Sequence, residues 1–168
     1  MIGNDVIDIL QSRKESNWQR KGFIEKLFTI EEQLLISNAS DSEIMVWILW
    51  SMKEAAYKIY KRQTKTRAYI PQKLVCSLAT QDRGFVTGKV VCAENSYHTQ
   101  TILVEDSIHT IAVSILEDLK QVIEIEYKSI VKDENGIPYL DNSITNRIQD
   151  VSKSHHGRFE KVVTISTL

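Results

Sequence analysis

From Ser40 to Arg62 the chain reads SDSEIMVWILWSMKEAAYKIYKR, without a glycine or a proline. No other stretch narrows the possible folds as far. A run of this length and composition is a helix. Its first half, Met45 to Leu49, is apolar all round and demands burial on every side. Residues three and four apart share a helix face. Trp47 and Trp50 therefore align with Glu54, and Lys58 follows one turn later. A carboxylate that closes a tryptophan stripe needs a reason. The ordinary one is a helix ion pair, since Glu54 and Lys58 stand in the favourable i, i+4 order, worth about 0.2–0.5 kcal/mol.

The neighbouring segments set the fold class. Residues 2–9 form a first strand by their β-branched content, Val6, Ile7 and Ile9. Gln11 to Arg20 is polar and helical, and Gly22 to Phe28 is a short amphipathic helix or turn. Thr29 and Glu32 match a capping box for a helix to about Ser37. Ser40 and Glu43 match a second one, which opens the long helix. From Tyr69 to Leu116 the sequence alternates and is rich in Val, Ile and Thr, which predicts four strands with turns at QDRG, ENSY and EDS. Gln121 to Val131 alternates Val/Ile with Glu as a fifth strand. An Asn135-Gly136 turn leads to a short strand, Asn142 to Asp150 reads as a short helix, and two short strands around a Ser/His/Gly turn end the chain. One strand, then helices, then many strands is α+β order rather than alternating α/β. The 168 residues suffice for one core, and a single domain over 1–168 is expected.

Charge and cysteines exclude several classes. The formal net charge of -1 gives no overall field for nucleic acid or an anionic membrane, so any basic site must be local. Basic residues gather around Lys61 to Arg67, but no RNA-binding aromatic signature or zinc spacing accompanies them. Cys76 and Cys92 lack metal-ligand spacing and read as small buried hydrophobes, although a hairpin about QDRG would bring them close. The start, MIGNDVIDIL, has no basic region of a signal peptide, and no apolar run reaches membrane-spanning length. A cytoplasmic protein is expected.

Three places put polar groups in unfavourable company. Asp5 shares a strand face with Ile7 and Ile9, and a buried carboxylate needs a partner. Glu54 ends the tryptophan stripe. Ser152 to Gly157 sets hydroxyls, imidazoles and a glycine together, a group able to offer donors to a phosphate. Carboxylates from two separate elements, Asp5 and Glu54, suit a hard cation such as Mg²⁺, which takes one or two carboxylates and completes its octahedron with water and phosphate oxygens. Lys58 would then face the phosphates.

The order of the motifs carries more than any one of them. Gly3-x-Asp5-x-x-Asp8 is followed by Phe28-Thr29-x-x-Glu32, then Trp50-Ser51-x-Lys53-Glu54-Ala55-x-x-Lys58, then Asn135-Gly136-x-Pro138, then Val151-Ser152-x-Ser154-His155. This set resembles the phosphopantetheinyl transferase superfamily, in its short holo-(acyl carrier protein) synthase branch. The resemblance covers about residues 1–62 and 121–166. It implies a phosphopantetheinyl transferase-like fold, an antiparallel sheet on a long helix, with the strand-rich segment 69–116 as an insertion. It implies an enzyme that moves the phosphopantetheine arm of coenzyme A onto a serine of an apo acyl or peptidyl carrier protein, as in fatty acid biosynthesis. Asp5 and Glu54 would ligate Mg²⁺, Glu54 and Lys58 would be catalytic, and Asp8 would orient the metal shell through water. Lys53, Lys58, Ser152, Ser154 and His155 would hold coenzyme A. Carriers are acidic, so Arg13, Lys14, Arg20, Lys21 and Lys26 are the expected docking face; a plain solvated helix face has the same charge spacing. The family's short branch usually has a Gly-rich turn after this helix, where this chain reads QTKTR. The strand-rich segment also puts that branch's trimer in doubt. A relative that only binds coenzyme A or a carrier is the alternative.

Overall fold

The computed structural model describes residues 1–66, 68–126, 130–142 and 147–166. Its first sheet joins β1 (Ile2–Asp8), β2 (Val75–Asp82), β3 (Phe85–Cys92), β4 (Asn95–Val104) and β5 (Ser107–Val113) in the order β1-β5-β4-β3-β2. All neighbours are antiparallel, and β5 returns to pair with β1 from Ile2↔Val113 to Asp8↔Ser107. Four helices lie between β1 and β2: α1 (Ile9–Glu15), α2 (Phe23–Leu27), α3 (Ile30–Asn38) and α4 (Ser42–Thr64). A second antiparallel sheet holds β6 (Val122–Glu124), β7 (Ile130–Lys132), β8 (Pro138–Asn142), β9 (Arg147–His156) and β10 (Phe159–Ile165), ordered β6-β10-β9-β8-β7. This is the expected α+β architecture, with the 23-residue helix α4 on the first sheet.

The core follows from the apolar first half of α4. Val46, Ile48, Leu49, Met52, Ala55, Ala56 and Ile59 are buried, clustered with Val86, Val90, Tyr97 and Ile108 of the sheet. The opposite face of that sheet meets the second sheet through Ile2, Val113 and Val163. Helix and β1 touch without a side chain between them: a Cβ on Gly3 would lie 2.0 Å from the Ala55 carbonyl oxygen. Only glycine permits this approach, and it sets Asp5, two residues along the strand, beside Glu54, the residue before Ala55.

Several local expectations change. The cap of α4 is Asp41, whose side chain accepts from Ile44 N at 3.0 Å, not Ser40; Glu43 is held by Arg13 instead. The segment 69–116 is not an appended sheet, since β5 joins β1 directly. The expected strand over 121–131 is two short strands, β6 and β7; residues 127–129 lie outside the described residues. The expected helix over 142–150 is contradicted at both ends, because Asn142 belongs to β8 and residues 147–150 to β9; residues 143–146 lie outside the described residues. Pairing of β9 between β8 and β10 outweighs the weak helix signal of an Asn/Ser cap. The hairpin between β2 and β3 does form, but Cys76 faces Val90 rather than Cys92, and both thiols are free and buried. Among the described residues no helix is long and apolar enough to cross a membrane.

Candidate active site

Asp5 on β1 and Glu54 on α4 open into one cavity of about 680 Å³. Trp47, Trp50, Phe23 and Leu27 form apolar walls, and Arg20, Lys21 and Lys26 also line it. Trp50 is braced edge-on by Tyr69 at 5.8 Å, and Tyr57 meets the Tyr69 ring at 4.7 Å. The stripe seen in the sequence is thus a cavity wall that fixes the helix carrying Glu54.

The two carboxylates are electrostatically uncomfortable. Burial raises the pKa of Asp5, against the pull of Lys58 and a hydrogen bond from Ser154. Burial also pushes Glu54 up to about 7, with the like charge of Asp5 adding to the rise. The Tyr69 hydroxyl comes near Glu54 and opposes that rise, but it completes no hydrogen bond of good geometry. Carboxylates raised by burial and by each other are what a cation would relieve. As a donor set they fit Mg²⁺, which needs only one or two protein carboxylates. They do not fit a closed zinc site, and among the described residues no three His, Cys, Asp or Glu side chains gather around one point.

Lys58 lines a second cavity, of about 540 Å³. Burial lowers its pKa, while Asp5 and Glu54 draw it back up. Its ammonium donates to the carbonyls of Asn4, at 2.5 Å, and Lys153, at 3.1 Å. Three donors are available, so one remains. Lys61, Arg62, Lys132 and Lys153 make the rest of this cavity basic. Arg62 already holds Asp150 at 2.6 Å, and Lys153 holds Glu160 at 2.8 Å. His155 is exposed and borders both cavities.

The remaining expected site residues scatter. Lys53 lines neither cavity. It is 0% exposed and donates to Glu32 at 2.7 Å, Pro71 O at 2.8 Å and Leu74 O at 2.6 Å. Neighbours in sequence point about 100° apart on a helix, so Glu54 faces the cavity while Lys53 faces the core. Ser152 and Ser154 are not in a turn. They are buried on β9 with their hydroxyls on the edge of β1; Ser152 also borders the basic cavity. Asp8 caps α1 through Leu10 N and Gln11 N and receives Arg158 on both oxygens, which holds its carboxyl well below the usual range. That leaves Asp8 engaged in structure rather than beside a cation. Of the expected docking residues, Arg20, Lys21 and Lys26 line the first cavity, whereas Arg13 pairs with Glu43 and Lys14 lines a separate groove beside Arg13.

Sequence reasoning missed Arg158 and Tyr69, and it placed His156 in the candidate cluster without giving it a role of its own. The signal for His156 was present as the period-two spacing Ser152, Ser154, His156, which a strand displays on one side. Tyr69 and Arg158 carried no local signal.

Among known proteins, a family model described as the 4'-phosphopantetheinyl transferase superfamily matches residues 1–114. The match runs through the strand-rich segment that the motif spacing sets apart, and ends before β6. No curated protein matches the chain.

Proposed function

This chain belongs to the 4'-phosphopantetheinyl transferase superfamily, and on that footing we propose that it transfers the phosphopantetheine arm of coenzyme A to a serine of an apo carrier protein. The reaction would use Mg²⁺ and release adenosine 3',5'-bisphosphate. One observation carries the reading: a cavity containing two carboxylates adjoins a basic cavity across His155, and Lys58 of the basic cavity acts electrostatically on both carboxylates. An anionic nucleotide suits the basic side, and a neutral thiol-ended arm suits the tryptophan-walled side.

Asp5 and Glu54 would hold Mg²⁺, which when bound supplies charge neutralisation at the pyrophosphate. The carrier serine oxygen attacks the phosphorus bearing the pantetheine arm. The bond from that phosphorus to the bridging oxygen breaks, the serine proton passes to Glu54, and adenosine 3',5'-bisphosphate leaves with the bridging oxygen. Such a step asks the protein for positioning and charge rather than covalent chemistry. Lys58 stabilises charge on the leaving phosphate through its remaining donor, and Ser152 and His155, which line the basic cavity, would hold coenzyme A phosphates. Lys58→Met is expected to lower kcat about a hundredfold while coenzyme A still binds by calorimetry; a wild-type kcat would remove Lys58 from the reaction.

The rim supports an acidic macromolecular partner. Arg20, Lys21 and Lys26 are exposed and line the cavity that would admit the serine. Reversing all three to Glu is expected to raise KM for an acidic apo carrier about tenfold or more, with kcat changed little, and to abolish the rise of KM with salt. Steady-state kinetics at two ionic strengths checks this; an unchanged KM would leave these residues as a solvated face.

A further inference from the structure

Strand β1 has two edges, and they are satisfied differently. One edge pairs by backbone with β5. The other presents the N–H groups of Asn4, Val6 and Asp8, and each goes to a side chain of β9: Ser152 Oγ at 2.8 Å, Ser154 Oγ at 3.0 Å and His156 Nδ1 at 2.9 Å. Both strands advance by two residues per contact, so β9 closes the edge with side chains in place of a backbone ladder. His156 accepts at Nδ1, and its Nε2 faces Glu15 Oε2 at 3.1 Å, tying the end of β1 to α1.

Within this row Ser154 has a second partner. Its hydroxyl accepts from Val6 N–H and, with its own proton, donates to Asp5 Oδ1 at 3.1 Å. The Val6 bond fixes the rotor, so the proton has one direction to point. Ser154 is 7% exposed, which keeps water from competing for either bond. Ser152 makes the same edge contact, and its hydroxyl does not bond Asp5. From the other face of β1, Ser51 Oγ donates to the Asp5 backbone carbonyl at 3.4 Å. The residue is thus held from both sides; the Ser51 hydroxyl also comes near the carboxyl group, and the shorter, better-placed hydrogen bond to a carboxylate oxygen comes from Ser154.

We infer that Ser154 is a positioning residue, which locks the Asp5 carboxylate in the orientation that receives a divalent cation, and that Ser152 has no such role. The inference rests on the proposed cation site of Asp5 and Glu54. Terminal carboxylate torsions are broad when nothing holds them, and removing a partner that orients a metal ligand typically weakens metal affinity about 10–100-fold.

The test is direct titration of the full chain with Mn²⁺, read by the paramagnetic signal of the free ion, in the absence of coenzyme A. Wild type and Ser152→Ala are expected to bind with affinities within about twofold. Ser154→Ala is expected to bind at least about tenfold more weakly, as Asp5→Asn does. Ser154→Cys keeps the volume with a weaker donor and is expected to fall between, and it serves should Ser154→Ala fail to fold. Equal Mn²⁺ affinity in Ser154→Ala and wild type, with Asp5→Asn weakened, would overturn the positioning role and leave the cation site standing. Absence of Mn²⁺ binding to the wild type would remove the cation site and the inference together.

Discussion

Replacing Glu54 by glutamine is expected to lower transfer by about a thousandfold or more and, in the metal-free protein, to raise stability above neutral pH. The first effect follows from the loss of a cation ligand and proton acceptor in one step. The second follows from burial. An acid whose folded-state pKa is raised destabilises the fold once it must ionise. Glu54 has an ordinary value of 4.5 and a folded value of about 7. Below pH 4.5 it is protonated in both states and costs nothing extra. Between the two values the folded protein keeps a proton that the unfolded chain has released, so stability falls as pH rises. Above about pH 7 the full penalty stands, on the order of 3 kcal/mol for a shift of that size. Glutamine carries no such penalty. Urea unfolding in chelator should show the variant gaining on wild type from pH 4.5 to 7 and holding its lead above. Retained transfer would remove Glu54 from the chemistry, and a variant no more stable at pH 8 would contradict its burial.

A larger loss of stability is expected from the Glu32–Lys53 pair. Both side chains are 0% exposed, with Nζ and Oε2 at 2.7 Å. Glu32 also accepts from Thr29 N at 2.8 Å and Cys76 N at 2.7 Å, so one carboxylate joins the start of α3 to the entry of β2. Lys53 reaches from α4 and adds the carbonyls of Pro71 and Leu74. Glu32→Gln leaves an ammonium buried without its counter-charge, and Lys53→Met leaves a carboxylate in the same position. Each is expected to cost about 3–5 kcal/mol, a large part of the 5–15 kcal/mol typical of a domain. The double variant should lose less than the two losses added, by about 1–3 kcal/mol, because no lone charge remains. Urea denaturation of the three variants measures this; strictly additive losses would contradict a coupled pair.

The sequence made β1, the helical segment and the β2–β5 meander legible, because each shows its own period: two in the strands and about 3.6 in α4. Asp5 and Glu54 stood out as polar groups in apolar surroundings, but their meeting depends on the contact of Gly3 with Ala55, which no local pattern states. Lys53 shared a motif with Glu54 and was assigned with it; only the packing of α3 and the 71–76 segment reveals that it faces the core. The Ser/His/Gly cluster looked like a turn because its composition is that of a turn. Only Gly157 and Arg158 form the turn between β9 and β10; the serines and histidines before it lie on β9, which pairs with β8 and β10 and offers three acceptors to the free edge of β1 some 148 residues away in the chain. The expected helix over 142–150 failed in the same way, through pairing partners absent from its own window.

The most direct measurement is the intact mass of an apo acyl carrier protein after incubation with this protein, coenzyme A and Mg²⁺, with and without chelator. A mass gain of one phosphopantetheine on the carrier, lost with chelator, is the predicted result. No gain on acyl or peptidyl carriers, from a folded protein that still binds coenzyme A, would contradict the transfer reaction and leave a protein that only binds.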